Sequence, residues 1–200
     1  MCFSQQTHAQ TVLVPMGATW AFLADGSDQG IAWRAADFDD ATWLRGPAQL
    51  GYGENDEATT VASGPGTTHF VTTYFRAPFV VDAPTRYANL SGELTYDDGA
   101  VVYLNGTEVF RINMPSGEPT FNTLAADSGE YLPVSFTIAA SRLRAGVNVV
   151  AVEVHQADTT SSDVSFDLRL TGDRPLSPQH PTSASRGKVQ IDPFPLEKVT

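Results

Sequence analysis

Asp97 and Asp98 stand side by side in YDDGAVVYLNGTEVFR (96–111), and adjacent carboxylates can do three kinds of chemistry. As a general acid/base pair they would have to face one substrate across a gap of about 5–9.5 Å. Neighbouring strand residues point to opposite faces, so a pair that merely continues a strand cannot do this. As cation ligands they could share one Ca²⁺, a hard ion that takes several oxygens. As turn residues they would only shape the entry to the run that follows. A second acidic set is Asp25 and Asp28, in the polar turn DGSDQG (25–30), with Asp167, which alternates out of phase with Phe166 and Leu168. All three also read as solvated turn and surface residues.

Other chemistries find little support. His155 shares a strand face with Glu153, but a transition-metal site needs three or four converging ligands, and no H-x-H or H-E-x-x-H spacing occurs. Ser161 and Ser162 lie close to His155 and Asp163 along the chain, which does not make a triad, and there is no G-x-S-x-G elbow. SGPGTTH (63–69) lacks the Lys and the strand-to-helix context of a phosphate loop. What remains is recognition of hydroxyls, which needs an aromatic face and planar polar groups. Trp33, Trp43, Tyr52, Tyr74, Tyr103 and Tyr131 could supply the first; Arg76, Arg111, Asp98, Asn113 and Gln156 could supply the second. Trp33 and Trp43 read equally as caps on the core, and Tyr103 as a cross-strand residue of a hairpin.

The elements that must position these residues are strands. TVLVP (11–15), TWAFLA (19–24), FVTTYFRAPFVV (70–81), YANLSGELTY (87–96), LPVSFTI (132–138), NVVAVEVHQ (148–156) and DVSFDLRLTG (163–172) are β-branched, aromatic or alternating. The Pro of FVTTYFRAPFVV suggests an edge or a bulge. VVYL-NG-TEVF (101–110) predicts a hairpin, because Asn-Gly tolerates the positive φ of a type I′ turn. ASRLRAG (140–146) predicts one helical turn ended by Gly146. Segment 31–53 reads as an irregular loop whose aromatics cap one end of the core, and 54–69 as a long exposed loop. Short strands separated by turn signals predict an all-β fold, an antiparallel β-sandwich.

The formal charge of −11 argues against a nucleic-acid partner, which rests on clustered cations; neutral ligands or cations suit such a chain. One cysteine, Cys2, leaves no internal disulfide, and no apolar run of membrane-spanning length occurs. Residues 1–10 read as the remnant of a processed leader or as an artificial end, 11–172 as the sandwich, and 173–200 as a Pro/Ser-rich linker or tail. That tail could instead pack along the sandwich through Ile191, Phe194 and Leu196.

FDDATW (38–43) resembles the F-D-D-S-x-W signature of galactose-binding-like jelly rolls. The longer set GSDQGIAWRAADFDDATW, GPAQLGYGENDEATT, TTYFRAPF, YDDGAVVYLNGTEVFR, NMPSG, NVVAVEVHQ and SSDVSFDLRLTG is similar to modules of large secreted bacterial proteins, found beside metallophosphoesterase and polysaccharide-degrading domains. The resemblance covers about 11–172. It implies a jelly roll and a secreted, extracellular or periplasmic setting. It further implies a non-catalytic, carbohydrate-binding-like accessory role, or packing against a neighbouring catalytic domain without sugar binding. It also implies a structural Ca²⁺ linking an early loop to the last strand, for which Asp25, Asp28 and Asp167 are the candidates. Loop-tip residues Tyr52, Arg76, Asp97, Asp98 and Arg111 are the candidates for the carbohydrate. Fold likeness by itself licenses only an analogy about function.

Overall fold

The computed structural model describes residues 8–128 and 133–175. Its strands are β1 (His8–Val14), β2 (Thr19–Leu23), β3 (Leu44–Pro47), β4 (Leu50–Tyr52), β5 (Thr59–Thr60), β6 (Thr72–Val81), β7 (Asn89–Asp97), β8 (Gly99–Leu104), β9 (Thr107–Ile112), β10 (Val134–Ala139), β11 (Gly146–His155) and β12 (Val164–Pro175). Among the described residues they form two six-stranded sheets. The first has the order β10-β7-β12-β4-β5, with β1 also paired to β12; the second has the order β3-β2-β6-β11-β8-β9. Apart from the short parallel pair β4/β5, the pairings are antiparallel. This is the antiparallel β-sandwich expected from the alternation.

Period-2 alternation builds the core. Val164, Phe166, Leu168 and Leu170 of β12 face inward toward Val150, Val152 and Val154 of β11. Phe166 stacks on Phe75 at 3.9 Å and meets Trp20 edge-on at 4.8 Å, so one ring joins both sheets. Gly51 allows β4 to lie close against β12, since a Cβ there would come within 1.8 Å of the Val164 carbonyl oxygen.

The hairpin forms as expected, with Asn105 and Gly106 at φ of 53° and 83°. Several details differ from expectation. First, 44–47 and 50–52 are strands, and Trp33, Phe38 and Trp43 do not cap an end of the core. They lie over the outer face of the second sheet, in a separate apolar cluster with Ala21, Tyr74, Val101, Tyr103, Val149 and Ala151. β11 is therefore buried on both faces. Second, β6 lies inside its sheet, yet β2 pairs with it only around Ala21–Leu23, and Pro78 falls beyond that reach. The edge character of Pro is satisfied locally. Third, Gly146 opens β11, and the helical turn Ala140–Arg142 closes at Leu143. β1 and β12 also pair past the expected limits, with Gln10 opposite Asp173. The tail packing proposed through Ile191, Phe194 and Leu196 lies outside the described residues.

Replacing Phe166 by Ala removes the ring shared by the two sheets. The expected cost is about 3–5 kcal/mol, read as a lower urea midpoint at unchanged m.

Candidate functional site

Where β7 leaves the first sheet and β8 enters the second, the chain turns through Asp97 and Asp98, whose peptide bond is cis. Register brings other polar groups to the same corner: Ser165 of β12 lies opposite Asp97, and Val164 opposite Tyr52. Asp163 immediately precedes that strand. The Asp98 carboxylate accepts the Ala157 N–H at 2.8 Å and the Ser161 hydroxyl at 3.2 Å. Asn113 donates to the Asp98 carbonyl at 2.9 Å. Gln156 Nε2 donates to Tyr52 Oη and to the Asp163 carbonyl, both at 2.8 Å, and its buried Oε1 has no partner within the described residues. Asp98 is only 2% exposed.

Burial, then a hydrogen bond to the Asp163 carboxyl, then the charges of Asp98 and Asp163 push the Asp97 carboxyl up to about 9. Carboxylates this close cannot all ionise readily, which favours the protonated form of Asp97. Burial also raises the Tyr52 phenol, to about 12. Such a corner is a closed, hydrogen-bonded acid cluster. It is not a pair of carboxylates flanking an open cleft.

The expected loop-tip set comes together only in part. Tyr52, Asp97 and Asp98 meet; Arg76 and Arg111 do not join them. Arg76 lies inside, 2% exposed. Its Nε donates to Asp40 Oδ2 at 2.8 Å, Nη1 to the Ala35 carbonyl at 3.0 Å and to the Trp33 carbonyl, and Nη2 to the Phe38 carbonyl at 3.4 Å. It holds the 31–43 segment on the second sheet. Arg111, on β9, forms two bonds to Glu108 at 3.0 and 2.8 Å and one to the Pro115 carbonyl at 2.6 Å. Its hydrogen bond lowers the Glu108 pKa. Trp33, Trp43, Tyr74 and Tyr103 are buried, so they offer no free face to a sugar, and Tyr131 lies outside the described residues.

Nor do Asp25, Asp28 and Asp167 share one point. Asp167 Oδ2 accepts the Gly17 N–H at 2.9 Å, just before β2. Asp25 and Asp28 follow the end of β2, five strand residues or roughly 16 Å away, and take the amides of Ser27 and Gly30 in their own turn at 2.9 and 2.8 Å. Burial raises the Asp167 pKa. Among the described residues, no three His, Cys, Asp or Glu side chains are placed to hold one metal ion. The trio does not fit a Ca²⁺ that links early loop to last strand.

Two groups were not legible as site residues. Asp163 belongs to the acid corner, and its signal is the β12 register rather than any motif. Glu153 and His155 form a buried polar network: Tyr103 Oη donates to Glu153 Oε1 at 2.6 Å, Arg34 Nη2 lies 3.4 Å from that oxygen, and His155 Nε2 lies 3.4 Å from Oε2. His155 Nδ1 donates to the Thr123 carbonyl at 2.7 Å, which pins the loop after β9. His155 is fully buried, deeper than the rim position its place at a strand end suggests.

The fold defines an all-β sandwich module. No protein-family model matches the chain, and no curated protein does. Solved structures do. A β-glucuronidase of an uncultured Clostridium species is 17% identical at a TM-score of 0.53, over 87% of this chain and 31% of that one. Bacteroides uniformis β-glucuronidase 2 is 15% identical at 0.54, over 83% and 18%. A Ruminococcus gnavus β-glucuronidase is 13% identical at 0.54, over 86% and 30%. At these identities the likeness is one of fold. The chain spans less than a third of the length of each.

Removing the Arg76 side chain leaves buried carbonyls without donors and Asp40 without its partner. Arg76→Met is expected to cost about 3 kcal/mol in urea unfolding and to speed amide exchange across 31–43. Asp97 sets a pH dependence. The folded state keeps a proton that the unfolded chain sheds near pH 4. This stabilisation is full below about pH 4, declines as pH rises, and is gone above about pH 9. Asp97→Asn should flatten the fall of the thermal midpoint between these limits and stabilise the protein at alkaline pH. A slope equal to that of the wild type would mean that Asp97 does not hold the proton.

Proposed function

We propose that the chain is a non-catalytic accessory module of a carbohydrate-active protein and that it binds a neutral glycan without cleaving it. The observation that carries this reading is the extent of the fold likeness. Nearly the whole chain corresponds to a domain-sized fraction of glycoside hydrolase chains. The chemistry of the acid corner agrees. Glycoside cleavage uses two carboxyl groups on either side of the scissile bond, whereas Asp97 and Asp98 hydrogen-bond each other in a closed corner. The acidic balance favours a neutral glycan over a polyanion. Calcium, expected from the sequence, would need ligands other than the trio of Asp25, Asp28 and Asp167.

A second reading, a module that packs on a neighbouring catalytic domain, is favoured by one feature. Val80 and Val147 lie directly opposite each other on β6 and β11 and are 66% and 58% exposed, an apolar pair outside either cluster.

Affinity electrophoresis in gels cast with neutral polysaccharides tests the first reading. Retardation by at least one of them, with no reducing sugar released on incubation, is expected. Release of reducing sugar would make the chain a hydrolase. Unretarded migration in every gel would leave the packing reading.

A further inference from the structure

The outer face of the first sheet carries a groove of about 300 Å³ lined by Gln10, Ser91, Gly92, Glu93, Ser135, Arg169 and Thr171, near the lower end of small-ligand sites. Register makes it a regular array. Ser135, Glu93 and Arg169 lie directly opposite one another across β10, β7 and β12. Two residues along, Thr137, Ser91 and Thr171 form a second rung on the same face. The inward face of these strands is taken by Phe136, Leu94, Leu168 and Leu170, so the polar row cannot turn into the core.

Opposite charges at directly facing positions ordinarily pair. Arg169 and Glu93 do not: no ion pair or hydrogen bond within the described residues engages either side chain. A five-donor fork and a two-oxygen acceptor therefore lie open side by side, flanked by the hydroxyls of Ser91, Ser135 and Thr171. Thr171 is buried, 5% exposed, and donates at 3.3 Å to the Ser91 carbonyl, so it forms the floor of the row and Ser91 and Ser135 supply the accessible hydroxyls.

We propose that this groove is the glycan site, with Glu93 accepting from sugar hydroxyls and Arg169 donating to sugar oxygens. The inference rests on the carbohydrate reading above and gives it a place. Paired donor and acceptor suit a ligand whose hydroxyls both donate and accept. No aromatic side chain is among the described residues that line the groove, so it supplies the planar polar half of hydroxyl recognition and binding there rests on hydrogen bonds. Glu93 and the charge of −11 oppose a uronate polymer.

The test uses the chain with cellohexaose, xylohexaose, mannohexaose and an oligogalacturonate, followed by amide chemical shifts in a titration. At least one neutral hexasaccharide is expected to shift residues of β7, β10 and β12. Arg169→Ala and Glu93→Gln should each weaken binding at least about tenfold, with thermal midpoints near that of the wild type. Ser135→Tyr, at an exposed edge-strand position that favours an aromatic, should block the groove without removing either charge. Arg111→Ala, on the other sheet, should bind as the wild type does. Binding that survives all three groove variants overturns the groove and leaves the carbohydrate reading standing. Preference for the oligogalacturonate overturns the assignment of a neutral ligand. No shift with any of these sugars, together with unretarded migration in every polysaccharide gel, overturns both.

Discussion

The guanidinium of Arg76 is the point on which the second sheet depends. It is a full charge taken out of water, which is tolerated only where partners replace the lost hydration. Here three backbone carbonyls and one carboxylate do so, and all of them belong to one irregular segment, 33–40. A stretch with almost no backbone ladder of its own is thereby fixed as a layer. Beneath it Trp33, Trp43, Tyr74 and Tyr103 pack ring on ring, with Trp33 4.8 Å from Tyr74 and 5.7 Å from Tyr103. Without that pin, the outer face of β6, β11 and β8 would present Tyr74 and Tyr103 to water.

The cover also decides the chemistry of the polar groups below it. Glu153 and His155 alternate with core valines, so geometry places them outward, yet loops from 34 and 118–123 close over them. Arg34 answers with a cation between Glu153 and Glu118, its guanidinium 4.2 Å from the Tyr103 ring. At the corner between sheets hydrogen bonds from Asp97 to Asp163 and Asp98 take that part. Both arrangements pair most of their buried polar groups locally, with Arg34 Nε, His155 Nε2 and Gln156 Oε1 left without a hydrogen-bond partner among the described residues, and both leave little open to a ligand. The two faces of the sandwich thus differ among the described residues: the second sheet is roofed by side chains and loop, while the first carries a polar row across β10, β7 and β12.

That asymmetry shapes the functional reading. Among the described residues one sheet is roofed and the other presents a polar strand face, on which Glu93 and Arg169 have no ion pair. The residues that first attract notice in the sequence, the double Asp and the spaced tryptophans, are engaged in holding the fold.

Much of the fold was legible because its signals are local. Asn105-Gly106 between alternating runs specifies its hairpin through φ alone, and Val150, Val152 and Val154 mark the core by period 2. The meeting of Tyr52, Asp97 and Asp98 could be anticipated as loop residues at one end. Which polar side chains are covered, and by what, emerges only when distant segments meet. Arg76 meets Asp40 from 36 residues away, and Arg34 meets Glu153 from 119. The face Glu93 shares with Arg169 exists only once β7 and β12 pair in register. Alternation tells which side of a strand a residue occupies, but burial depends on what the rest of the chain lays over that side, and that information is not local.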